Sequence, residues 1–215
     1  SLRDLADAIH ARTAGNPFFT EEVVQSLIGG GHLEGSKGAY RLATPVETLA
    51  VPASVQAVLA ARIDRLAERE KAVLQAAAVI GKEFSEPILR AALGATRELP
   101  SGELAAALTA LGRAEFVYEQ ALYPVAEYAF KHPLTQEVAY HSLLGEPRAR
   151  THAAVARALE AERGTIGEAA AVIAYHWESA GERVQAARWH DRAARWAVSS
   201  SPDEALRHWR RVREL

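Results

Sequence analysis

The 215-residue sequence predicts a mainly α-helical fold, and three observations carry that expectation. Alanine, the best helix former, supplies about a fifth of the residues. Arginine, also favourable, far outnumbers the four lysines Lys37, Lys71, Lys82 and Lys131. Apolar residues recur three and four positions apart over most of the chain, the period of a helix with one buried face. Only two stretches, residues 32–43 and 116–130, break that period with short alternating runs.

The elements follow in order. Leu2 to Thr13 reads as a short helix ended by Gly15. Asn16-Pro17 starts the next, because asparagine caps free amides and proline suits the first helical position. Phe19, Val23 and Leu27 form its stripe, with Glu21 and Glu22 near the positive helix end, and Gly29-Gly30-Gly31 stops it. His32 to Ala43, with Gly35 and Gly38 around Ser36-Lys37, reads as a small hairpin or loop, and Thr44 to Val51 as a linker. Pro52 is expected to open a helix carrying Val55, Val58, Leu59, Ile63 and Leu66. A second spans about Glu68 to Ile80, Ser85 caps a third through Leu93, and Ser101 caps a fourth with Leu104, Ala107, Leu108 and Leu111.

Phe116-Val117-Tyr118 and Tyr128-Ala129-Phe130 then read as the arms of a hairpin around Pro124. Helices followed by a two-stranded wing are the order of elements in a winged helix, and Pro133 to Leu144 closes it as a helix. From Arg148 onward the pattern is helical throughout. Thr165-x-x-Glu168 is a capping box ahead of Ile166, Ala170, Ile173, Ala174 and Trp177. Gly181 breaks that helix; the next carries Ala186, Trp189, Ala193 and Trp196, and Ser201-Pro202-Asp203-Glu204 starts a last one with Ala205 and Trp209. Small alanines set against aromatics in successive helices resemble tetratricopeptide-type repeats, although the spacing is not a clean 34-residue period.

Composition excludes several function classes. Apolar residues make up 49% and charged residues 24%, a balance that buries a core. The absence of cysteine removes disulfides, zinc fingers and thiol nucleophiles, and with it favours a cytoplasmic protein. No apolar run approaches the ~18 residues of a membrane span. A formal charge of −2 takes away the bulk electrostatic case for nucleic acid. The chain has no methionine and begins Ser1-Leu2-Arg3, so we expect a piece of a longer protein.

Motifs with chemistry are few. Gly30-Gly31-His32-Leu33-Glu34-Gly35-Ser36-Lys37 nearly spells a phosphate-binding loop, but its last two positions are transposed and a helix precedes it, so it reads as a turn. The eight histidines form no His-Glu-x-x-His pattern and no helical-turn pair with a carboxylate. His141, His152, His176, His190 and His208 therefore read as ordinary exposed or half-packed imidazoles, and no metal ligand or catalytic residue is assigned. The four tryptophans read as packing residues, and Arg207, Arg210, Arg211 and Arg213 as a solvated face interrupted by Glu204 and Glu214. His132, between the second wing strand and Pro133, reads on local grounds as a helix cap at a terminus that favours anions.

Four strings carry a resemblance. They are Arg12-Thr13-Ala14-Gly15-Asn16-Pro17-Phe18-Phe19-Thr20-Glu21-Glu22-Val23-Val24; Val51-Pro52-Ala53-Ser54-Val55-Gln56 with Ala61-Arg62-Ile63-Asp64-Arg65-Leu66; Leu74 through Phe84; and Tyr128 through Tyr140. Together they resemble the C-terminal part of a bacterial AAA-like, STAND-class signalling ATPase, of the kind attached to class III adenylate/guanylate cyclases or large transcriptional regulators. The resemblance implies a helical lid element at 1–50, a winged-helix domain at 51–146 and the start of helical repeats at 147–215.

It further implies that Gly15, Asn16 and Pro17 pack on a nucleotide base and that His132 reaches the phosphates in a closed state. The P-loop core with its magnesium-binding acid and sensor does not occur in this sequence, so the chain is expected to be non-catalytic and to hold no cofactor itself. ATP or ADP with magnesium belongs to the parent protein. The expected partners are that ATPase core and an output domain or protein reached through the repeats. Two alternatives remain, a DNA-binding winged helix of a transcriptional regulator and a helical-repeat interaction scaffold. DNA binding is not expected, since Ser101 to Arg113, the helix that would enter the groove, has Arg113 as its one basic residue.

Overall fold

Helical spacing in the sequence becomes eleven α-helices among the described residues, with helix accounting for 68% and two small antiparallel sheets for the rest of the regular structure. The structure, a computed structural model, describes every residue apart from 37, 46–51, 98 and 164–166. The chain divides into two compact units, Ser1–Ala67 and Glu68–Leu215. None of the described helices is long and apolar enough to cross a membrane.

In the first unit, α1 (Leu2–Thr13) and α2 (Pro17–Gly29) are followed by a hairpin of β1 (Leu33–Ser36) and β2 (Ala39–Leu42) and by α3 (Val55–Asp64). Leu5 and Ile9 of α1, Val23 and Leu27 of α2, Leu33 of β1 and Val58 of α3 form one apolar core. Burying a side chain of this size is worth about 1.5–3 kcal/mol over leaving it in water, and the stripe positions deliver it at helical spacing. The hairpin pairs Leu33 with Leu42 and Gly35 with Tyr40. Gly35 has φ +109°, and a Cβ there would lie 2.3 Å from the Ala39 carbonyl oxygen, so the turn requires glycine.

One detail differs from the expectation. The helix expected to open at Pro52 begins at Val55, because Ser54 accepts a hydrogen bond from Ala57 N–H at 3.2 Å and so ends the extended chain there. Most of the expected linker, 46–51, lies outside the described residues, and the compact unit itself runs on to Ala67.

The second unit begins with α4 (Glu68–Ile80), β3 (Glu83–Ser85), α5 (Glu86–Gly94) and α6 (Ser101–Arg113). These are followed by β4 (Val117–Ala121), β5 (Glu127–Phe130) and α7 (Pro133–Ser142). The hairpin read from the sequence is present, but it belongs to a three-stranded sheet in the order β3-β5-β4. The sequence reading missed β3, which is three residues long. Its strand conformation comes from pairing with β5, where Phe84 opposes Tyr128 and their rings stack at 5.8 Å. Leu74, Leu89, Leu93, Leu104, Leu111 and Phe116 are fully buried between the helices and this sheet. Pro100, not Ser101, occupies the cap position of α6, so Ser101 starts the helix instead of capping it.

The remaining elements are α8 (Gly145–Arg163), a 3-10 turn (Gly167–Ala169), α9 (Ala170–Ser179), α10 (Arg183–Ala197) and α11 (Pro202–Glu214). α8 packs against α4 and α5 as well as α9, and α10 packs against both α9 and α11. Fully buried Ala170, Ala174, Ala186, Ala194 and Ala205 let these helices approach closely. Thr165 of the expected capping box lies outside the described residues, and Ala169 stands in the cap position of α9 without a side-chain bond. The tryptophans do not share one role. Trp177 is 5% exposed, whereas Trp196 and Trp209 are 57% and 39% exposed, so the latter two are only partly packed.

Candidate functional site

The Gly15-Asn16-Pro17 string forms the turn between α1 and α2. Ala14 and Gly15 take left-handed backbone angles, φ +48° and +74°, which reverse the chain after Thr13. Asn16 then caps α2, its Oδ1 accepting from Phe19 N–H at 2.9 Å, and Pro17 occupies the first helical position. Thr20 Oγ1 donates to Thr13 Oγ1 at 3.0 Å and ties the two helix ends together. The turn is thus held by local bonds that the sequence signals encode, with Gly15, Asn16 and Pro17 all exposed.

His132 lies in the second unit, at the junction of β5 and α7. Lys131 N–H donates to Phe116 carbonyl oxygen at 3.0 Å and its Nζ lies 3.1 Å from Glu115, so the strand end is fixed just before the histidine. The cap expected from the sequence is present: His132 Nδ1 accepts from Leu134 N–H at 3.1 Å. Because Nδ1 accepts, a neutral His132 ring carries its proton on Nε2, where it can donate.

The structure also joins residues that the sequence reading kept apart. In the first unit Arg62 of α3 and Glu22 of α2 form an ion pair with both side chains almost wholly buried, at 7% and 6% exposure. Glu22 lies beyond the first turn of α2, which holds no acidic residue, so the expected place near the helix N-terminus gives way to an ion pair inside the unit. In the second unit Glu160 Oε1 on α8 accepts the indole N–H of both Trp177 and Trp189, each at 2.5 Å. Glu178 on α9 bonds Arg211 of α11 at 2.5 Å and His190 Nε2 of α10 at 2.9 Å, and the Arg211 hydrogen bond is the main reason its carboxyl is held below the usual range.

Two histidine pairs bear on the reading of these rings as ordinary exposed or half-packed: His152, His176 and His190 are buried, against that reading, and His208 is half-buried, in keeping with it. His152 of α8 and His176 of α9 are fully buried, their Nδ1 atoms 2.9 Å apart, with Tyr140 Oη 3.1 Å from His152 Nε2. His190 of α10 and His208 of α11 repeat the contact at 2.8 Å. Burial, with a smaller contribution from the Arg148 guanidinium, lowers His152 to about 4. Burial, with His152 beside it, lowers His176 to about 3. The clue was available: His176 lies three residues after Ile173 and His152 three before Val155, inside buried stripes. Their pairing, 24 residues apart, was not. No group of three or more metal-ligating side chains occurs among the described residues. No protein-family model, curated protein or solved structure matches the chain.

Proposed function

We propose that this chain is the regulatory, non-catalytic part of a STAND-type signalling ATPase, coupling the nucleotide state of a P-loop core to an output domain or protein partner. The resemblance of the four sequence strings supports the reading. So does the path α4-β3-α5-α6-β4-β5 with sheet order β3-β5-β4, the arrangement expected of a winged helix. On this reading 1–50 is the lid element, 51–146 the winged-helix domain and 147–215 the start of a repeat array in the cytoplasm. The DNA-reading alternative is disfavoured by α6, which offers groove atoms mainly alanine and leucine beside Glu103 and Arg113.

The observation that carries the proposal is the state of His132. Its ring is fixed by the Leu134 amide at the start of α7, a helix end that favours an anion, which supports a role beside the phosphates. Gly15, Asn16 and Pro17 would pack on the base of ATP or ADP, and magnesium would be held by the core. A phosphate cradle needs several amides, a lysine and a metal ligand, which one histidine and a lid turn do not replace. The chain alone is therefore expected to bind neither ATP nor ADP tightly. Calorimetry checks this, and a dissociation constant below ~10 µM would contradict the division of labour on which the proposal rests.

A further inference from the structure

The buried His152–His176 contact has a property the packing around it does not require. Two Nδ1 atoms 2.9 Å apart hold one shared hydrogen, donated by one ring and accepted by the other. One added proton taken at an Nε2 leaves the shared N–H···N bond in place but puts a cation in the core; with both rings cationic, two N–H groups stand nose to nose and the bond is lost. Both rings are fully buried, at 0% and 1% exposure, so neither charged form is solvated in the packed state. The groups that face the pair do not compensate. Tyr140 of α7 bonds His152 Nε2, and the ring of Tyr175 of α9 lies edge-on to His152 at 5.7 Å. The charge bearing on His152 is the Arg148 cation of α8, and on His176 it is His152 itself.

We propose that the His152–His176 pair is a proton-operated latch between α8 and α9, closed when both rings are neutral and opened by proton uptake. The second pair is built differently and serves as its internal contrast. His190 Nε2 already faces Glu178 at 2.9 Å, and Glu204 lies 4.0 Å from His208, with Arg207 and Arg211 also near. Glu178 ties α9 to α10 through His190 and to α11 through Arg211, so α9, α10 and α11 stay joined while α8 and α9 part.

The direction follows from the lowered values. Rings that would take a proton near 6.5 in water resist it until about 4 and about 3 when buried. The contribution of the closed latch is therefore whole above pH 6.5 and is lost as pH falls towards 4 and then 3. The open state binds up to two more protons across that window, so opening rises by about ten- to a hundredfold per pH unit.

The test is amide hydrogen exchange of the 215-residue chain from pH 7 to 4, corrected for intrinsic rates, with imidazole nitrogen NMR on the same samples. The expected result is loss of protection in α8 and α9 at that slope below pH 6, with the rings of His152 and His176 staying neutral until about pH 4 in the closed state, while α10 and α11 keep their protection. The double variant His152→Leu with His176→Leu, apolar on both sides of the contact, is expected to lose the pH dependence in α8 and α9. Should that variant fail to fold, the imidazole spectra of the unaltered chain decide. A slope below tenfold per unit between pH 6 and 4, protonation of the two rings without change in α8 and α9, or an equal slope in a folded double variant would each overturn the latch.

Discussion

Arg62 and Glu22 show what a single buried contact can do in the first unit. Two charges are removed from water here, each facing a counter-charge on the other, and neither is exposed beyond 7%. Glu22→Gln leaves the Arg62 guanidinium buried against a neutral amide. We expect a loss of about 3–5 kcal/mol in urea unfolding, with most of it recovered when Glu22→Leu is combined with Arg62→Leu. A single-variant loss under ~1 kcal/mol would mean that water reaches the pair. His132 was legible at this scale as a cap, because histidine before proline at a helix start is a local signal. Glu22 was not, because its partner lies 40 residues away and no short-range pattern encodes the pairing.

At the scale of elements, Glu160 fastens α8 to α9 and α10 through one oxygen shared by two indoles. Hydrogen bonds to a charged acceptor contribute about 1.5–3 kcal/mol each, and an indole N–H has no other use when half-buried. Glu160→Ala should therefore cost about 2–4 kcal/mol and shift tryptophan emission to the red as Trp177 and Trp189 gain water. Glu160→Gln, which keeps one acceptor oxygen without the charge, should fall between. Unchanged emission in Glu160→Ala would remove the fastening role. Helices were readable from period and caps, as with α2, where Asn16-Pro17 marks the start. Strand β3 was not, since three residues carry no period and its geometry is imposed by β5.

For the whole molecule, the mainly helical architecture was legible because alanine content and helical spacing agree along most of the chain. The polar ties among α8 to α11 arise only once the helices are stacked. Duplex DNA should not bind at micromolar concentration in a mobility-shift assay, because α6 and the wing present no cluster of cations for phosphates. Salt-sensitive micromolar binding would promote the DNA-reading alternative.

The proposed coupling role is tested most directly at His132, by measuring ADP release from the ATPase that the proposal implies. Alanine at this position removes cap and imidazole together and is expected to cost about 1 kcal/mol of stability. His132→Asn retains an oxygen that can cap α7 while removing the Nε2 donor, so it separates the two roles. A ligand biases two states only by its different affinity for them, and a phosphate contact worth ~1–3 kcal/mol in the closed state shifts the balance roughly five- to 150-fold. The account predicts that His132→Asn leaves stability within ~0.5 kcal/mol of the parent and speeds ADP release by at least about fivefold, with raised basal output. Unchanged ADP release and unchanged output in the folded His132→Asn protein would contradict it and leave His132 as the cap of α7.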